Sequence, residues 1–120
     1  MDIRLTVNGD DMHATLEDTP AARDFASLLP LTLTVTDFHA SERIADLPKR
    51  LSTSGAPAGT AARAGDITYY APWGNLALFY RDSGHAAGLV RLGHLDEGAA
   101  EVLAGLDREA SVTITSADAD

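Results

Sequence analysis

The sequence predicts a mostly β, antiparallel sandwich or barrel in a single domain. Three observations carry that expectation. Short runs of apolar residues alternate with polar ones along most of the chain. Clusters of Gly, Pro, Asn and Asp separate those runs at turn-sized intervals. Only two short stretches show helical spacing together with a start signal. At 120 residues the chain has one domain's worth of length, enough to bury about two-thirds of its unfolded surface around one core.

Ile3, Leu5 and Val7 alternate with polar residues, and Met12, Ala14 and Leu16 do the same after Asn8-Gly9. Asn and Gly tolerate the positive φ of a tight turn, so the two runs predict a hairpin. Thr19 can cap a helix, Pro20 suits its first position and Pro30 marks its end; Ala22, Phe25, Ala26 and Leu29 share a face, predicting a helix near Pro20–Leu29. Leu31 to Phe38 alternates as a half-buried strand should. Glu42 to Leu47 reads either as a short strand or as a turn of helix, interrupted by Pro48. Ser52 to Ala64 is small and polar with almost nothing to bury, and reads as a long loop. Strands are expected at Asp66–Ala71, Leu76–Arg81 and Leu89–Leu95. Asp96 can cap a short helix over Glu97–Leu106, which Gly98 weakens. Val112–Thr115 is the last strand, and 116–120 is expected to be a frayed acidic tail beyond a domain spanning 1–115.

The formal net charge of −9 repels phosphate backbones, so nucleic acid is not expected as a partner. The absence of cysteine excludes disulfides, thiolate metal sites and Cys nucleophiles. His13, His39, His85 and His94 are scattered without ligand spacing, so no metal or other cofactor is expected. The start has no apolar run of signal-peptide length, and no segment approaches a membrane span; the expected location is the cytoplasm, with no membrane partner.

The large rings are unevenly placed. Residues 65–80 hold the only Trp, all three Tyr and one of three Phe. Such rings either seal a small core or border a binding groove. Trp73 lies between Pro72 and Gly74 in a turn, which predicts an exposed indole at a groove rim, held there by Asn75 bonding to the turn's own amides.

The order of elements resembles the cyclophilins. Pro20-Ala-Ala-Arg-Asp-Phe25-Ala-Ser-Leu28 is similar to their first helix, with Phe25 and Leu28 in register. Leu89-Val-Arg-Leu-Gly93-His-Leu-Asp-Glu-Gly98 resembles their V-V-F-G-x-V-x-x-G, with Val112-Thr-Ile114 as the closing strand. The stretch GDITYYAPWGNLALFYRD is similar to a bacterial group of short cyclophilin-like proteins of unassigned function. The resemblance implies a closed eight-stranded barrel with a helix across each open end and a groove beside the middle hairpin. It also implies a prolyl isomerase Arg, which falls on Arg43. The rest of that chemistry does not carry over: pocket positions fall on Pro48, Lys49, Leu51, Leu76, Leu78 and Leu89. Arg43 equally reads as a solvated surface charge. Two functions follow from the resemblance. One is a binding module, a monomer or weak homodimer, taking a peptide or small-molecule ligand in a groove bordered by Arg43, Tyr70, Trp73 and Asn75. The other is a weak or altered peptidyl-prolyl isomerase using Arg43.

Overall fold

The structure is a computed structural model and describes residues 1–117. Eight strands close into an antiparallel barrel in the order β1 (Asp2–Val7), β10 (Glu109–Ser116), β3 (Leu31–Phe38), β4 (Glu42–Asp46), β7 (Asn75–Phe79), β6 (Asp66–Tyr70), β9 (Leu89–Leu95) and β2 (Asp10–Leu16), which returns to β1. Closure removes the exposed edges that an open sheet would present. Two further strands, β5 (Gly59–Ala61) and β8 (His85–Ala87), pair only with each other. The helices are α1 (Pro20–Ala26) and α2 (Ala99–Ala104).

The expected hairpin is β1–β2, turned by Asn8 at φ 52° and Gly9 at φ 82°. Thr19 caps α1 by accepting from the Ala22 amide at 3.2 Å. Asp96 does not cap α2 with its side chain. Its carbonyl accepts from the Ala99 amide at 3.2 Å, and Gly98, in the left-handed region at φ 93°, is the residue before the first turn. Residues 42–46 resolve to strand, because both neighbours, β3 and β7, supply ladder partners.

The stretch read as a long loop contains β5. Its ladder partner β8 comes from a Gly-flanked stretch too short to show a period, and the two form a strap lying outside the barrel. The last strand is longer than expected: it runs through Ser116, and the Ala117 amide still bonds the Asp2 carbonyl at 3.0 Å. The remainder of the expected tail, residues 118–120, lies outside the described residues.

Alternate residues of each strand fill the barrel. Ile3, Leu5, Val7, Leu16, Ile67, Tyr69, Leu76, Leu78, Leu92, Leu95, Val112 and Ile114 form one buried cluster with Phe25 of α1 and Leu103 of α2. β9 keeps both faces useful through a bulge: Ile67 pairs with Gly93 and Thr68 with Arg91, leaving Leu92 as the extra residue. Gly93 is required where β2 crosses β9, since a Cβ there would lie 2.3 Å from the Thr15 carbonyl oxygen. A second, smaller cluster of Ala62, Ala77, Phe79 and Leu89 sits on the outer face, where the strap covers β7 and β9. Among the described residues, no helix is long and apolar enough to cross a membrane.

Candidate functional site

The candidate site is a groove of about 320 Å³ on the outside of the barrel. Its floor is the outer face of β4 and β7, where Glu42 and Ile44 stand beside Asn75, Ala77 and Phe79. Ala86 of the strap and Leu89 close one side. The other side is a wall of rings.

Trp73, in the β6–β7 turn, is 56% exposed. Its indole meets Phe38 edge-on at 5.6 Å and Tyr70 edge-on at 5.4 Å between centroids. His39 stands edge-on to Phe38 at 4.0 Å. Gly74, at φ 67°, lets the turn fold back so that its amide reaches the Tyr70 carbonyl at 2.9 Å. Arg50 secures the turn from behind, donating to the Ala71 carbonyl at 2.9 Å.

Two polar groups enter this apolar setting. The Glu42 carboxyl is half-buried, and among the described residues nothing bonds it; burial pushes it up to about 7. Asn75 is buried, and its Oδ1 has no hydrogen-bond partner. An unmet buried acceptor costs about 1–3 kcal/mol, and this one is covered, so a donor reaches it only when the carboxamide turns toward the groove. It does not hold the turn, contrary to the expectation from sequence: the turn closes on backbone carbonyls alone.

The groove gathers Tyr70, Trp73 and Asn75 and leaves out Arg43. Arg43 follows Glu42 on β4 and therefore points to the opposite face. It is 3% exposed and donates to three backbone oxygens, those of Leu103 at 3.1 Å, Leu106 at 2.8 Å and Asp107 at 2.7 Å. These carbonyls lie in the last turn of α2 and just beyond it, where the helix leaves its carbonyls short of amide partners, so a cation is well matched to them. The Tyr80 ring lies 5.5 Å from the guanidinium carbon. Asp37, paired with Arg43 across β3–β4, accepts from the Tyr80 hydroxyl, which holds its carboxyl below the usual range. Burial, and then that bond, push the Tyr80 hydroxyl up. The surface reading of Arg43 is corrected: the guanidinium is buried and clamps the end of α2.

Other polar residues group elsewhere. Asp66, buried on β6, accepts from His94 Nδ1 at 2.8 Å, Arg91 Nε at 3.1 Å and the Arg63 amide at 2.9 Å. Arg91 also reaches the Ala61 carbonyl at 3.3 Å, which ties the strap to the barrel. No group of three or more His, Asp or Glu that could hold a metal ion occurs among the described residues.

The sequence profile of the cyclophilin-like family matches residues 5–115. The chain belongs to the cyclophilin-like family. A search of curated proteins found no match. Among solved structures, this cyclophilin-like chain is similar to the hypothetical protein AF2241 from Archaeoglobus fulgidus. The TM-score is 0.68 at 18% identity, covering 98% of this chain and 95% of that one. At that identity the likeness concerns the fold.

Within the cyclophilin-like barrel, the motif matches made on sequence are out of phase with the outer face. Leu76 and Leu78, matched to pocket residues, lie in the barrel core, and Asn75, Ala77 and Phe79 face the groove instead. Leu89, also matched to a pocket position, does line the groove. Sequence reasoning missed Phe38, His39, Glu42 and Ile44. The one available signal was the period-two alternation of β4, which places Glu42 with Ile44 and Arg43 with Ala45.

Proposed function

We propose that this cyclophilin-like protein is a non-enzymatic binding module that takes a peptide or small-molecule ligand in the outer groove. The observation that carries the reading is the groove itself: an aromatic wall, an apolar floor and an unpartnered Asn75 carboxamide inside one concavity of about 320 Å³. Small-ligand sites have this make-up, mostly apolar with a few placed polar groups. The engagement of Arg43 with the end of α2 favours binding over prolyl isomerisation, because the guanidinium is not free to approach a substrate amide. An acidic chain without cysteine suits a reducing compartment, and we place its work in the cytoplasm, as a monomer or weak homodimer.

The test is amide NMR of the full chain against a set of small aromatic, aliphatic and prolyl-peptide fragments. Shifts are expected to cluster on residues 38–44, 70–79 and 83–89. Shifts scattered over the barrel, or none from any fragment, would overturn the reading. Trp73 reports in parallel. Its exposure predicts red emission that acrylamide quenches and a bound ligand protects, and Trp73→Ala should weaken binding while changing stability by less than about 1 kcal/mol. A protease-coupled assay on an Ala-Pro peptide should show little acceleration.

A further inference from the structure

We propose that the groove is a site for a small organic cation with N–H donors, an amidinium, guanidinium or ammonium head on a compact apolar body. The inference rests on the binding reading above and names the ligand class.

The argument is one of complementarity. Glu42 brings a carboxyl into the groove, yet no Lys or Arg lines the cavity to balance it. Of the nearby cations, Arg43 clamps α2, Arg50 braces the far side of the turn, and exposed Arg81, just beyond β7, does not line the cavity. A half-buried carboxylate without a counter-charge is costly, and it retains its proton to about pH 7 for that reason. An arriving cation supplies the missing charge. Asn75 lines the same cavity, and its covered Oδ1, which lacks a partner, gains one when the carboxamide turns toward an N–H donor. The surrounding rings are Trp73, Tyr70 and Phe38, and more than half of the Trp73 surface is uncovered. Aromatic faces attract cations and leave anions unsatisfied. The cavity's volume is at the low end for small-molecule sites, which favours a compact ligand over a long peptide. The net charge of −9 draws cations toward the surface.

Proton linkage gives the inference a signature. Above about pH 7 Glu42 is a carboxylate and attracts the cation; below it the carboxyl is neutral and the attraction fades. Affinity should therefore rise with pH through that window and then level off. The other titratable groups facing Glu42 are His39, at the end of β3, and Tyr70 of β6; β7 and the strap present only uncharged side chains to the cavity, Asn75, Ala77, Phe79, Ser83 and Ala86. His39 also gains a proton on acidification, so it must be separated from Glu42.

The experiment compares benzamidine, benzamide and benzoate, which share a shape and differ in charge, by amide NMR and Trp73 fluorescence on the full chain. Benzamidine is expected to shift the groove resonances and to bind at least about tenfold more tightly than the other two. Glu42→Gln should abolish that preference and flatten the pH profile, whereas His39→Gln should keep both. A retained amide spectrum in each variant confirms folding. Equal binding of benzamide and benzamidine in the groove would overturn the cation inference while leaving the binding reading intact. Shifts from none of the three, with shifts from other fragments, would do the same. A capped Ala-Arg-Ala peptide serves as the last arm: tighter binding than benzamidine would overturn the assignment to a small molecule.

Discussion

Adjacent residues on β4 illustrate how much one position decides. Glu42 faces outward into a ring-lined groove, and Arg43 faces inward to the end of α2. Their substitutions should separate cleanly. Arg43→Met removes three charge-assisted hydrogen bonds from the carbonyls of Leu103, Leu106 and Asp107. It should lower stability by about 3 kcal/mol, read as a lower urea midpoint; unchanged stability would show that the clamp is idle. Glu42→Gln has the opposite sign. The native carboxyl holds its proton to about 7, above its ordinary 4.5. A raised acid favours the folded state most below the unfolded pKa, and that advantage is lost as pH climbs to the folded value. The Gln variant keeps it. The two proteins should be equally stable near pH 4, and above about pH 7 the variant should be more stable by about 1 kcal/mol, the full linkage value being reduced because the group is only partly buried and solvent screens it.

At the scale of elements, β9 has two tasks. Leu92 and Leu95 fill the barrel, while Leu89 lines the groove and Arg91, held by Asp66 of β6, binds the strap at the Ala61 carbonyl. A plain strand could not keep these phases, and the bulge at Leu92 supplies the offset. Gly93 then lets β9 pass against β2. Gly93→Ala should force the backbones apart and cost about 2 kcal/mol by chemical denaturation. A neutral result would mean that the crossing can relax. The strap is the element that sequence concealed most completely. Each of its strands has three residues, and β5 has no buried position to mark a period. What fixes it lies outside it: Asp66 and Arg91, the Ser83 amide on the Ala62 carbonyl at 2.8 Å and the Gly88 amide on the Ala58 carbonyl at 2.8 Å.

At the scale of the whole molecule there are two hydrophobic clusters of unequal size, one inside the barrel and one under the strap. Little apolar surface secures the smaller one, so it should open before the barrel does. Native-state hydrogen exchange should show amides of 59–62 and 85–88 exchanging by a local opening, well below the free energy that protects Leu5, Leu78 and Ile114. Exchange of both sets only on global unfolding would show that strap and barrel form one cooperative unit. If the strap does open alone, it is part of the groove wall that moves, since Ala86 of the strap lines that side.

The sequence by itself determined the class of fold and most of its elements. Period-two alternation marks β1, β2 and β3 directly, Asn8-Gly9 marks their first turn, and Thr19-Pro20 marks α1, because each is a local conformational preference written in consecutive residues. It also showed that Trp73 would be exposed, since a ring in a four-residue turn has no strand of its own to fold under. Which face each strand turns inward was decided only by tertiary structure. On β4 and β7 both faces are covered, one by the barrel core and the other by the strap and groove, so hydrophobicity does not separate them. The resemblance therefore set Arg43 at the groove border and passed over Glu42, the residue that lines it. The pairing of β4 with β3 and β7 settles the phase, and the β7 half of it, from Glu42↔Phe79 to Asp46↔Asn75, joins residues distant along the chain.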